Sequence, residues 1–263
     1  MLQGKPVWAL AAAALLAIVF GCAAPMGGPR EDASAGIDPK AADALKRMCE
    51  VLSGAKFFAF EANVRMDERL ESGQLAQFTR TSRIVAVRPD RLHVKTDAGE
   101  MRWSAWYGGS TLVMLDENKN AYAEEPVRGT IVDMLDQMAT EYNLVMPMVD
   151  LLVDKVYDSL TANVRSAAYL GLHLVGDRKC HHLLFRQQNI DWQIWIDAGD
   201  VPLPRKLTIT YKLESDQPQF VAVLDGWDLA PKISSDTFKF TPPADAKKVS
   251  MFDLLGRKRG GKS

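Results

Sequence analysis

The chain has 263 residues, with 32 Lys and Arg against 33 Asp and Glu and a formal net charge of −1. So even a balance offers no basic face of the kind that holds nucleic acid, and none is expected as a partner. Hydrophobic residues make up 47%, part of it in one N-terminal run, so the remainder has ordinary globular composition. The three cysteines, Cys22, Cys49 and Cys180, match no metal-ligand spacing.

Lys5 gives a weakly basic start, and Val7 through Phe20 is apolar without a charge. A run of roughly 7–15 apolar residues fits a secretory leader and falls short of the ~20 that span a bilayer. Val19-Phe20-Gly21-Cys22 reads as a lipobox, in which the cysteine is lipidated and becomes the mature N-terminus, although Phe20 is unusual there. The alternatives are an uncleaved anchor or cleavage after Ala24, which Pro25 disfavours. Residues 1–21 are therefore expected to be a lipoprotein signal peptide. Removing them leaves about 240 residues, enough for one domain with a substantial core. Cys49 and Cys180 then remain in an oxidising compartment, either as a disulfide or as two buried thiols.

Residues 22–37, rich in Ala, Gly and Pro, read as a flexible tether. A coil of that length reaches on the order of 20 Å. Asp38-Pro39 supplies a cap and a first-turn proline, Ala41, Leu45, Met48 and Leu52 make an apolar stripe, and Gly54 ends the helix.

From Phe58 the period becomes two: Phe58, Phe60, Ala62, Val64 and Met66 alternate with Ala59, Glu61, Asn63, Arg65 and Asp67. Strands follow over 78–87, 91–96, 101–107 and 111–115 and through Tyr122, joined by turns such as Ser72-Gly73 and Arg88-Pro89-Asp90, which predicts an antiparallel meander. Thr130 with Asp133 resembles a capping box, and Ile131, Met134, Leu135, Met138 and Tyr142 continue it as a helical stripe. Pro147 interrupts, and Met148, Leu151, Leu152 and Val156 predict a second short helix. Strands resume over 168–175, 179–187, 191–197, 205–213 and 220–227, with a last short one at Thr237-Phe238-Lys239-Phe240-Thr241.

About ten strands in hairpin succession, one helix before them and one helical insert predict an α+β domain over residues 38–250. A single antiparallel sheet of that size curls into an open half-barrel, and the helices cover its concave side. Residues 251–263, ending Gly-Arg-Lys-Arg-Gly-Gly-Lys-Ser, are expected to be a disordered basic tail.

Four stretches carry a resemblance: Arg88-Pro89-Asp90-Arg91-Leu92, Asp191-Trp192-Gln193-Ile194-Trp195-Ile196, Pro202-Leu203-Pro204-Arg205-Lys206, and Phe238-Lys239-Phe240-Thr241-Pro242-Pro243 with Ala246. They resemble a family of predicted periplasmic proteins known only as a domain of unknown function, over about Pro39 to Val249. That family in turn resembles the lipoprotein carriers of the Lol pathway and the stress sensor RseB, which share a helix and an open curved sheet whose hollow accepts acyl chains. The resemblance implies a lipid or lipoprotein ligand. With Ala23 rather than Asp after Cys22, it also implies a lipid anchor on the periplasmic face of the outer membrane.

The residues themselves offer little chemistry. His173, His181 and His182 invite a metal reading, but His181 and His182 are strand neighbours that point to opposite faces and cannot share one ion unless the strand bulges. No Gly-x-Ser-x-Gly elbow or phosphate loop occurs, so neither catalysis nor a cofactor is expected. The apolar side is better supplied, because methionines crowd the insert and adapt to varied apolar shapes. Strand alternation and the helix stripe select Phe58, Phe60, Val64, Met134, Met138, Met146, Met148, Trp192 and Ile194 as the lining of an apolar hollow. A filled core explains the same residues. Arg80 and Arg83 would meet lipid headgroups or a lipoprotein N-terminus, or lie on a solvated convex face. The function expected is a non-enzymatic envelope lipoprotein that carries or receives apolar molecules; the alternative is a protein-binding scaffold or sensor.

Overall fold

In a computed structural model, residues 36–144 and 146–257 are described. The leader, Cys22 and nearly all of the expected tether lie outside them. Helix α1 (Pro39–Gly54) starts as the sequence dictates, with the Asp38 carboxylate accepting from the Lys40 N–H at 2.8 Å. One face, including Leu45, Met48 and Leu52, is fully buried.

Two strands of equal length follow, β1 (Phe57–Arg69) and β2 (Leu75–Val87), then β3 (Arg91–Asp97), β4 (Arg102–Gly108), β5 (Thr111–Asp116) and β6 (Ala121–Pro126). The insert holds α2 (Ile131–Tyr142), a 3-10 turn (Val149–Leu151) and α3 (Val156–Thr161). The second strand set is β7 (Ser166–Val175), β8 (Arg178–Arg186), β9 (Ile190–Asp197), β10 (Pro204–Tyr211) and β11 (Gln219–Asp228). A long strap, residues 229–246, leads to β12 (Lys247–Lys248) and α4 (Met251–Leu254).

Among the described residues twelve strands form one open sheet in the order β12-β6-β5-β4-β3-β2-β1-β11-β10-β9-β8-β7, antiparallel at every junction except β12 with β6. The two strand sets meet where β1 pairs with β11. Consecutive strands β6 and β7 therefore stand near opposite edges, and the insert has to traverse the sheet to join them. It does so over the apolar face, where Ile131, Met134, Met138, Leu151 and Val156 are buried. The capping box forms, with Thr130 and Asp133 satisfying each other's backbone N–H groups. α+β architecture, an open half-barrel and helices on the concave side follow from this topology.

Three expectations need correction. Residues 237–241 form no strand: they belong to the strap, and Phe240 docks on Trp106 and Tyr122 with ring centroids 5.1 and 5.0 Å apart. The twelfth strand is Lys247–Lys248, held by the Lys247 and Val249 N–H groups donating to the Asn120 and Tyr122 carbonyls at 2.9 Å. The tail does not begin at residue 251, because Met251, Leu254 and Leu255 are buried and Phe252 packs on Tyr142 of α2. The expected second insert helix is split, since Met148 takes a left-handed φ of 74° and residues 149–151 close only a 3-10 turn.

Candidate functional site

The nine expected lining residues all join one apolar cluster between the sheet and its roof. Phe58, Phe60, Val64, Met134, Met138, Trp192 and Ile194 are at most 3% exposed, and Met146 and Met148 pack against them half-buried. Phe60 stacks on Trp227 at 4.3 Å and Phe185 on Trp192 at 4.0 Å. This interior is closed by packing, with the roof seated on it.

Arg88, just past β2, holds the closure. It is 6% exposed and sits over the Phe58 ring, 4.7 Å from its centroid. Its Nε donates to the Leu152 carbonyl and its Nη2 to the Leu151 carbonyl, both at 3.0 Å, while Nη1 donates to the Leu52 carbonyl and, at 2.7 Å, to that of Ala55. One guanidinium thus ties the end of α1 to the 3-10 turn of the roof. Burial lowers its pKa, and the Asp154 carboxylate, 3.7 Å away and mostly exposed, opposes that. Two further bonds seat the start of the roof, from the Ile131 N–H to the Pro89 carbonyl at 2.7 Å and from the Tyr107 hydroxyl to the Gly129 carbonyl at 2.8 Å.

At the other end of the same face the ladder places Arg80 opposite Val64 and Phe78 opposite Met66. Because Val64 faces the interior, Arg80 does too. Arg83 falls on the outer face, 3.5 Å from Glu61, and is well solvated. On the same face of β2, between Arg80 and the buried Ile84, lies one buried hydroxyl pair, Ser82 with Thr96 at 2.8 Å. Burial lowers the pKa of Arg80, with the charges of Glu68 and Tyr211 acting against it. Burial likewise pushes Glu68 up to about 6 and Tyr211 up to about 12.

The outer face carries a cavity of about 490 Å3 between β3–β5 and the strap, bordered by His93, Lys95, Ser104, Trp106, Glu117, Asn120 and Phe240 among others. His93 stacks on Trp106 at 5.1 Å, and Ser104 and Lys95 engage Glu117 at 3.0 and 3.8 Å. None of the expected lining residues borders it. The alternation of Phe238 and Phe240 was its signal in the sequence, but that pattern reads equally as a strand.

His181 and His182 do stand on opposite faces: one bonds Tyr169 at 2.9 Å, the other bonds Gln193 at 2.9 Å and stacks on Trp195. Among the described residues no group of three or more His, Cys, Asp or Glu is placed to hold a metal. Cys49 and Cys180 are free and buried, and burial pushes the Cys49 thiol up to about 12, which leaves it unreactive. No described helix is long and apolar enough to cross a membrane.

Fold and site together define an open half-barrel, roofed by helices over an apolar interior. Over residues 41–252 the chain matches the family described as predicted periplasmic protein (DUF2092), and it belongs to that family. No curated protein matches it. Among solved structures it is similar to the lipoprotein LppX of Mycobacterium tuberculosis, at 9% identity, with 74% of this chain and 98% of that one covered and a TM-score of 0.43. It is similar to LprF of Mycobacterium bovis at 12% identity, 80% and 99% coverage and a TM-score of 0.47. A LolA superfamily protein of Nitrosomonas europaea is similar at 12% identity, 76% and 97% coverage and a TM-score of 0.37.

Proposed function

We propose that the protein is a non-enzymatic lipoprotein of the bacterial envelope, held by lipid on Cys22 at the periplasmic face of the outer membrane. It takes an acyl chain or another apolar molecule between the sheet and the insert. The observation that carries this is the build of the roof. A single helix would cover the interior more rigidly. Here the cover is three short pieces, and the junction between the first two begins at Asn143 and ends at Met148, both in the left-handed region at φ 52° and 74°. A methionine there is strained by order 1–3 kcal/mol, a place where the chain gains by moving. The half-buried Met146 and Met148 lie in that joint and re-pack at little cost. The ligand enters by lifting the roof, since the interior is packed when the roof is down.

A second reading is favoured by the edge strand β7, where Leu170, Leu172 and Leu174 are exposed. In that reading the protein is a scaffold that binds another protein by strand addition and holds no lipid. Native mass spectrometry of protein purified from envelopes separates the two. Adducts of acyl-lipid mass on the folded protein are expected. A folded protein that is empty and binds no added fatty acid leaves the scaffold reading.

A further inference from the structure

The geometry points to an oxyanion-binding subsite at the Arg80 end of the interior, where the guanidinium receives the carboxylate or phosphate head of a ligand whose chain lies toward Val64 and Phe60. This deepens the binding function proposed above and rests on it. The first reason is placement. β2 carries Arg80 and Arg83 in one polar stretch, yet the ladder sends them to opposite faces, and Arg83 finds its carboxylate outside. Arg80 is left on the apolar side beside Phe78 and Met66, near the fully buried Phe220, where a charge is costly unless it is paired.

The second reason is what Arg80 lacks. Arg88 and Arg205 are the buried arginines with known partners: Arg88 donates to four carbonyls, and Arg205 bonds Asp197 at 2.9 Å. Among the described residues Arg80 makes no hydrogen bond and no ion pair. Its planar fork of donors matches a carboxylate or phosphate in two parallel bonds, which a lone ammonium does not offer.

The third reason is the company. Glu68 lies on the same face, two residues beyond Met66, and its Oε2 is buried without a hydrogen bond. Its raised pKa makes it a reluctant counter-ion, and burial keeps the Tyr211 hydroxyl protonated, a second donor for an oxyanion. Phe78, 40% exposed, marks the side on which the mouth stays open to a headgroup.

The test compares dodecanoate, dodecyl phosphate and dodecanol as competitors of an uncharged fluorescent apolar probe on the purified full chain. Both anions are expected to bind at least about tenfold more tightly than the alcohol, a bidentate charged contact being worth about 1.4 kcal/mol or more. Arg80→Gln should bring the anions within twofold of the alcohol and leave the alcohol unchanged. Glu68→Gln, which removes the competing carboxylate, should tighten both anions at pH 7.5. The stronger of the two anions tells a free acid from a phospholipid head. Equal affinity of alcohol and anions for the wild type, a preference that survives Arg80→Gln, or unchanged anion binding in Glu68→Gln overturns the subsite while leaving the hollow's function standing. If none of the three displaces the probe, the proposed function fails and the subsite with it.

Discussion

Arg80 and Arg88 stand on one line of backbone, about 25 Å apart along the strand direction, and they face the same interior. Arg88 is surrounded by four carbonyl oxygens from two segments, the end of α1 and the 3-10 turn, so the fold answers every demand its charge makes. Arg80 is given carboxylate and phenol neighbours that it does not bond. The first arrangement is what a structural charge needs; the second is what a charge awaiting a ligand looks like. In the proposed binding function, a closed roof at one end and an unmet guanidinium at the other give the interior a direction, with an apolar floor at Phe58 and a polar mouth at Arg80.

The comparison breaks most visibly at Arg88. Arg88→Leu leaves the carbonyls of Ala55, Leu151 and Leu152 without that donor and is expected to cost about 3–5 kcal/mol, read by urea unfolding. Arg88→Lys should recover part of that, since an ammonium reaches fewer acceptors. By contrast Arg80→Gln removes a charge that the folded state leaves unpaired, so stability should change by less than about 1 kcal/mol or increase. A loss as large as that of Arg88→Leu would make Arg80 a structural residue and end the contrast.

Glu68 sharpens it through pH. Its native pKa of about 6 lies above the ordinary carboxylate value of 4.5, so the folded state binds this proton more tightly than the unfolded one. The group therefore lowers stability above pH 6, and the penalty is relieved as the pH falls through 6 toward 4.5. Glu68→Gln should raise the melting temperature over wild type at pH 7.5 and lose most of that advantage at pH 4.5. A difference that does not vary with pH contradicts the burial of this carboxyl. The smallest effect on the domain is expected from Cys22→Ser, which should leave its melting temperature unchanged while moving the protein from membrane to periplasmic fraction, because the acyl chains carry the attachment. Retention in the membrane fraction would point to an uncleaved anchor.

Much of this architecture is legible in the sequence. The caps at Asp38 and Thr130, the alternation of β1 and the burial of the residues from Phe58 to Ile194 are local or periodic, and one-dimensional patterns carry them. The pairing of β1 with β11 is not local. Nothing in either strand says that the second set returns to the middle of the sheet, and with that pairing went the reason for the insert to cross the whole concave face. Residues 237–241 of the strap read as a strand for a related cause: Phe238-Lys239-Phe240 alternates as a strand does, yet Phe240 packs onto aromatic rings of β4 and β6 and pairs with no ladder. Arg80 and Arg83 were indistinguishable in sequence because face assignment in a polar strand waits on its register.

The central claim is that the interior opens for an apolar chain, and titration of a fluorescent fatty acid into wild-type and Met138→Glu protein tests it most directly. Met138 is fully buried in the roof, where an unpaired carboxylate is costly. Saturable uptake by the wild type, lost in Met138→Glu and kept in a roof-surface variant such as Asp136→Asn, is the predicted result. A folded wild type that takes up no fatty acid, while Met138→Glu merely unfolds, would show that the interior is a filled core and not a binding site.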